Sequence, residues 1–168
     1  MNNEEDKKAF LQLIEDNMRI IFKISNSYCQ NKNDREDLVQ EIIYQLWKSA
    51  HSFNAAYKFS TWMYRIALNV AISFYRKEKK ASAIIPFEYV VDIEDKPDEN
   101  KQTEENINLL QKFISELKEL DKALMILYLE TRPYTEIAEI LGITETNVAT
   151  KISRIKNNLK EKFTTIKI

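Results

Sequence analysis

Lys151 and Arg154 stand three residues apart, with Asn147, Thr150 and Asn158 placed around them at spacings of three or four. On a helix these five side chains share one face. Their chemistry suits base edges in a major groove: Arg and Lys reach guanine acceptors or phosphates, and Asn pairs with adenine. Lys156, Lys160 and Lys162 flank the set. Further upstream, Trp62, Tyr64, Phe74 and Tyr75 lie among Lys58, Arg65, Arg76, Lys77, Lys79 and Lys80. Aromatic faces take up bases released from a duplex while cations hold the backbone, at roughly 1–3 kcal/mol per stacked base. Each group also has a plainer reading. The first is a solvated face of a helical hairpin. In the second, Trp62 and Phe74 fit a helical core at least as well, and residues 76–80 read as a solubilised helix end.

A third group is acidic. Asp37, Gln40 and Glu41 are i, i+3 and i+4 neighbours, and two carboxylates beside an amide suit a basic partner surface or solvent. No nucleophile or metal partner accompanies them, so no acid–base site can be assembled. His51 is the only histidine and Cys29 the only cysteine, which leaves no zinc site, no His-based dyad and no internal disulfide. Cys29 reads as a small buried side chain. No catalytic residue, cofactor or metal is expected.

The elements that position these groups are helical. Of 168 residues, 44% are hydrophobic and 30% charged, with one glycine and three prolines. That composition supports a packed all-α core in one domain or two small ones. The N-terminal MNNEEDKKAF is acidic and has no apolar stretch with a cleavage site, and no apolar run reaches the roughly 20 residues that span a bilayer. A cytoplasmic protein without membrane insertion is expected. Helical periodicity predicts helices over residues 6–30, 34–49, 60–79, 106–120, 122–130, 134–141 and 144–163, with Asn33 and Glu36 offering a capping box to the second. Leu38, Ile42, Leu46 and Val39, Ile43, Trp47 supply that helix with apolar i, i+4 positions.

Charge divides the chain in three. Residues 1–80 carry 13 Lys and Arg against 10 Asp and Glu, residues 81–110 carry 2 against 8, and residues 111–168 carry 10 against 8. The net charge of −1 is thus the sum of +3, −6 and +2. Residues 81–105, with two of the three prolines and no sustained helical period, read as a flexible acidic linker. Its apolar piece, residues 84–91, is expected to dock against the folded chain. So near-neutral a chain should bind DNA weakly alone, since few phosphate contacts release few counterions.

Gly142 fixes the reading of the C-terminal end. It follows the apolar positions Ile137, Ala138 and Leu141, where a helix ends best in a residue of positive φ. Ile143 fills the turn, and the Thr144 hydroxyl caps the next helix. There Val148, Ile152, Ile155, Leu159 and Phe163 form one apolar stripe. Two helices crossing through a tight turn, with small Ala138 permitting close approach, make a helix-turn-helix.

Three segments, DREDLVQEIIYQLWKSAHSFN, KFSTWMYRIALNVAISFYRKEKK and ELDKALMILYLETRPYTEIAEILGITETNVATKISRIKNNLKE, resemble bacterial RNA polymerase sigma factors of the extracytoplasmic-function type in order, spacing and length. The resemblance implies a two-domain initiation factor. Residues 1–80 would bind the clamp helices of the largest polymerase subunit and open the minus-ten element of promoter DNA. Residues 106–168 would read the minus-thirty-five element and touch the polymerase flap, and the linker would thread toward the RNA exit path. Asp37, Gln40 and Glu41 match the polymerase-binding motif, Asn69 a position that helps hold an unstacked base, and Lys151 and Arg154 basic positions of the recognition helix. Lys58, Trp62, Arg65, Arg76 and Lys77 complete the expected melting surface. An anti-sigma factor is the inhibitor class implied by the same resemblance, and the free chain is expected to be monomeric. The sequence departs from the family pattern at Pro133, before the helix-turn-helix, and at Ala149, where lysine is common. Two other classes compete with this reading. A dimeric helix-turn-helix regulator would need symmetric half-sites and leaves the Trp62 to Lys80 block without a purpose. In a protein-only adaptor or sequestering module the helical hairpin would meet protein rather than DNA, and loss of promoter-specific transcription on changing Lys151 and Arg154, with partner binding intact, would argue against it.

Overall fold

The computed structural model describes residues 4–81 and 101–166, and all the regular structure among them is helical. Eight α-helices follow in order: α1 (Glu4–Asp16), α2 (Met18–Tyr28), α3 (Lys32–Lys48), α4 (Phe59–Ala81), α5 (Lys101–Ser115), α6 (Glu119–Leu129), α7 (Tyr134–Leu141) and α8 (Glu145–Ile166). A short 3-10 turn, Ala50–Ser52, precedes α4. Helices α1 to α4 form an N-terminal unit and α5 to α8 a C-terminal one. The expected docking of residues 84–91, and the greater part of the expected linker, lie outside the described residues.

Local chemistry moved three boundaries. The first expected helix is two, broken at Asn17. Asn17 departs from helical geometry (φ −112, ψ 13), and its Nδ2 donates to the Leu13 carbonyl at 2.9 Å. The cap of α3 is Asn31 rather than Asn33: its Oδ1 accepts from the Asp34 N–H at 2.8 Å, and its amide also reaches the Asp34 carboxylate. Helix α5 begins at Lys101, inside the segment read as linker.

The N-terminal core follows the expected stripes. Leu38, Ile42 and Leu46 of α3 are fully buried against α2 and α4. Helix α4 contributes Met63, Ala67 and Ala71 on one line and Tyr64 with Leu68 beside it, all buried. The two alanines leave room for neighbouring helices to approach closely. Cys29 is buried at the end of α2, and burial first, then the nearby Asp34, pushes its thiol up to about 12. At neutral pH it is an inert thiol.

Helix α6 is built differently. Six consecutive residues, Lys122 to Leu127, are buried, so no side of the helix faces water there. A helix enclosed all round needs partners all round. Helices α5, α7 and α8 supply three walls, and α4 of the N-terminal unit supplies the fourth. The apolar residues of both units form one continuous core.

The turn between α7 and α8 is as expected. Gly142 adopts φ 66, ψ 35, and the Ile143 N–H bonds the Ala138 carbonyl at 3.1 Å. A Cβ at Gly142 would meet nothing within 4 Å, so the glycine is required by its backbone angle alone. The Thr144 hydroxyl accepts from the Asn147 N–H at 3.2 Å. Helix α7 starts at Tyr134 despite Pro133, whose carbonyl accepts from Ile137 at 2.9 Å. One strained residue stands out: Thr131, a β-branched side chain, has φ 55.

Candidate nucleic-acid interface

Helix α8 separates its faces cleanly. Val148, Ile152, Ile155 and Leu159 are buried, while Asn147, Thr150, Arg154 and Asn158 are exposed on the opposite side. Three cations of this helix are already engaged. Lys151 lies 3.3 Å from Asp121 and is only partly exposed. Lys156 rests over the Tyr128 ring at 5.3 Å, and Lys162 pairs with Glu116 at 2.8 Å while covering Phe113. Arg154 projects from the middle of the polar face. Thr150 spends its hydroxyl proton on the Thr146 carbonyl at 2.9 Å, leaving its oxygen lone pairs outward.

Helix α4 is a more divided surface. Lys58, Arg65, Asn69, Arg76 and Lys77 are exposed. Of the aromatics among them, Trp62 and Phe74 pack against the core, as their plainer reading expected, and Tyr64 and Tyr75 join them. Trp62 is half-buried in a cluster with Phe10, Phe53 and Phe59, at centroid distances of 5.9, 5.4 and 5.5 Å. Tyr64 is buried and Tyr75 half-buried. Packing took these rings because their spacing on α4 is that of its core stripe. The exposed ring is Tyr57, 61% accessible, in the loop before α4. Sequence reasoning missed it, although its place beside Lys58 in a loop free of apolar periodicity was a usable signal. Tyr57 lines a cleft of about 270 Å³ with Asn54, Thr61, Trp62, Arg65 and, from α7, Glu139.

On α3, Asp37, Gln40 and Glu41 are exposed on one face, and Glu41 accepts from Gln45 at 2.8 Å. Tyr44, 55% accessible, extends that face by one turn. Its i+3 spacing from Glu41 was visible in the sequence but was not singled out.

The two units meet along a polar seam. Lys122 of α6 is 2% exposed and sits 5.1 Å from the ring centre of Tyr28 and 4.8 Å from that of Tyr75. The Tyr28 hydroxyl donates to the Glu119 carbonyl at 2.7 Å, and Arg76 lies 3.7 Å from the Glu119 carboxylate. Residues around the strained Thr131 make the second half of the seam. Glu130 pairs with Lys23 and accepts from Tyr64 at 3.5 Å. Arg132 covers the Tyr64 ring at 5.0 Å and bonds Glu136 at 2.9 Å, while Thr61 donates to the same Glu136 at 2.6 Å. Burial first, and Glu130 next, push the Tyr64 phenol up to about 12, so it stays a donor. Among the described residues no group of three or more His, Cys, Asp or Glu could hold a metal, and no helix is long and apolar enough to cross a membrane.

Two helical units, the second a helix-turn-helix with an exposed polar and basic recognition face, define a bipartite all-α transcription factor. Residues 13–81 match the family model for Sigma-70 region 2 and residues 107–159 that for Sigma-70, region 4. The chain is 30% identical to the RNA polymerase sigma factor SigV of Bacillus subtilis, over 92% of this chain and 91% of that one. It is 27% identical to the ECF RNA polymerase sigma factor SigW of the same organism, over 94% and 90%. The solved structure of the sigma factor RpoE from Bartonella quintana, in complex with the anti-sigma factor NepR, shares the fold with a TM-score of 0.70 at 20% identity, covering 92% of this chain and 96% of that one. The chain belongs to the extracytoplasmic-function RNA polymerase sigma factors. Its function is promoter-specific initiation of transcription with core RNA polymerase, in a family of initiation factors rather than catalysts.

Proposed function

We propose a division of labour between the two units. The exposed face of α8 reads the minus-thirty-five element through Asn147, Thr150, Arg154 and Asn158. Lys151 joins them after leaving Asp121, so its contribution is net of a broken ion pair. The outer surface of α4 and the loop before it engages the minus-ten element: Lys58, Arg65, Arg76 and Lys77 hold the strand, and Asn69 and the cleft beside Trp62 take an unstacked base. Asp37, Gln40 and Glu41, continued by Tyr44, face the polymerase clamp. The observation that carries this reading is the split of α8, where Val148, Ile152, Ile155 and Leu159 are buried in the core while Arg154 and Asn158 stand exposed on the opposite side.

The factor works in the cytoplasm, without cofactor, as a monomer that polymerase captures. An anti-sigma factor is the class of inhibitor we assign to it. That assignment is supported by the fold shared with RpoE, which was solved bound to such a protein.

Transcription in vitro from a randomised promoter pool, with purified core enzyme, tests the division. Selection should yield two conserved boxes, and Arg154→Ala should relax only the upstream one. Asn69→Ala should impair opening on duplex templates and be rescued by a premelted template. A single selected box, or an Asn69→Ala defect that premelting leaves intact, would contradict the scheme.

A further inference from the structure

Helix α8 carries five cations, Lys151, Arg154, Lys156, Lys160 and Lys162, against two acids of its own, Glu145 and Glu161. A phosphate backbone attracts all five. Three of them already have partners in their own unit. Lys151 pairs with Asp121 at 3.3 Å, and both side chains are largely covered, at 23% and 16% exposure. Lys162 pairs with Glu116 at 2.8 Å, and Lys156 donates to the Tyr128 hydroxyl at 3.2 Å. Arg154 and Lys160 stand exposed, with no ion pair among the described residues.

The two ion-paired lysines are not scattered. Lys151, Asn158 and Lys162 are spaced by seven and four, which lines them up along one edge of the helix, beside Arg154. Glu116 lies in the turn before α6 and Asp121 in the first turn of that helix, so both carboxylates border the same edge. A duplex seated on the polar face of α8 would bring its phosphates to these lysines and to the groups that hold them. Water reaches little of the Lys151–Asp121 pair, so salt screens it less than an open surface pair. The dipole of α6 favours an acid at Asp121 in any case. It does not account for a second carboxylate, outside the helix, on the next lysine of the same edge.

We infer that Asp121 and Glu116 are internal substitutes for DNA phosphate: they keep Lys151 and Lys162 from duplex of arbitrary sequence, and so hold the affinity of the free chain below what five cations would give. The inference rests on the assignment of α8 to the minus-thirty-five element. On arbitrary duplex both lysines stay with their carboxylates, and Arg154 and Lys160 supply the attraction. Lys151 leaves Asp121 only at the element. The free chain is thereby spared from capture by bulk DNA before it meets polymerase. Each carboxylate is a positioning residue that acts on DNA only through the lysine it holds.

The test titrates the full chain onto labelled duplexes, one carrying the upstream box selected above and one scrambled, from low salt upward. On the scrambled duplex, Asp121→Asn and Glu116→Gln should each tighten binding by up to about fivefold. Each should also steepen the slope of log affinity against log salt by about one. Glu161→Gln makes the same charge change at an exposed acid of α8 that holds no cation among the described residues, and should leave that slope unchanged. In the Lys151→Ala background, Asp121→Asn should do no more than Glu161→Gln does. Glu116→Gln with Lys162→Ala repeats the cycle at a more exposed pair, which keeps the test alive if Asp121→Asn fails to fold. A parental slope in either folded carboxylate variant would overturn the inference, as would a steepening that survives loss of the lysine. Arg154→Ala separates the two levels. If it weakens the selected duplex more than the scrambled one while the carboxylate variants match Glu161→Gln, the internal substitutes fall and the α8 assignment stands. If it does not weaken the selected duplex more, α8 is not the reader and the inference goes with it.

Discussion

The outer faces of α4 and α8 look alike in the sequence and stand differently in the fold. Both carry Asn, Arg and Lys opposite an apolar stripe. On α8 that polar face is turned to solvent, with Arg154 and Asn158 free of the rest of the protein's packing. On α4 Arg65 and Asn69 are exposed as well, but Arg76 lies against Glu119, and the adjoining Thr61 and Tyr64 bond Glu136 and Glu130, because the helix is a wall between two units. Burial on one side tells which residues build a core. It does not tell whether the other side is open to a partner or already taken by the same chain.

Four experiments sharpen or break this contrast. The largest effect is expected at α6, the helix that joins the two situations. Leu124 is fully buried, and Leu124→Ala should cost about 2–5 kcal/mol. Both tryptophans lie in the N-terminal unit, whereas Leu124 does not. Urea unfolding followed by tryptophan fluorescence and by circular dichroism should shift together; separate midpoints would mean that the units do not share a core.

Next comes the recognition face itself. Arg154→Ala should weaken use of the upstream element by about 1–3 kcal/mol and leave stability unchanged. Lys151→Ala should cost stability too, by about 1 kcal/mol or less, because Asp121 loses its partner. Melting curves beside promoter-binding titrations distinguish the pair. Identical behaviour would erase the distinction drawn between the open and the engaged parts of α8.

A smaller effect should follow Thr131→Gly. Removing the Cβ penalty at φ 55 should stabilise the folded chain by about 1 kcal/mol, read as a raised midpoint in urea. A lowered midpoint would mean that the Thr131 side chain, whose hydroxyl bonds the Glu130 carbonyl, holds the corner more than its backbone strains it.

The last test is alkaline. A phenol ordinarily ionises at 10.0; burial, then Glu130, raises Tyr64 to about 12, and burial, then Glu119 and Tyr75, raises Tyr28 further against the lowering influence of Arg76. Arg132 also faces Tyr64, and Lys122 faces Tyr28. Between these values the folded chain holds protons that the unfolded chain has lost. Seam stability is therefore complete below pH 10 and declines as pH rises through 12. The urea midpoint should fall in that window as tyrosinate absorbance rises, and Tyr64→Phe should reduce the change. A midpoint that begins to fall near neutrality would point to other groups.

Much of this molecule was legible in advance. Gly142 and Thr144 announced the turn because each does one local job that few residues can do. The α8 stripe was legible because spacing alone fixes a helix face. The break at Asn17 was not, since Ile14 and Ile21 are seven residues apart and keep the helical period running straight through it. Asn33 was the expected cap of α3 and Asn31 takes its place, because the contact with Asp34 that decides it depends on where the chain arrives. The seam was hidden for a different reason. ALMILYL is apolar on every side, and that run, with Lys122 at its head, was the one clue that α6 needed a fourth neighbour. The face of α8 was readable because its partner is outside the molecule, whereas the face of α4 required knowing the whole fold.

Enclosure of α6 on every side bears on how this protein can be divided for study. A fragment beginning at Lys101 would lack α4 and would carry an uncovered flank along its central helix. Such a piece should be sticky and prone to self-association, even though it contains the whole segment that matches one family model. Dissection at the domain border trades an interior for an aggregation-prone exterior.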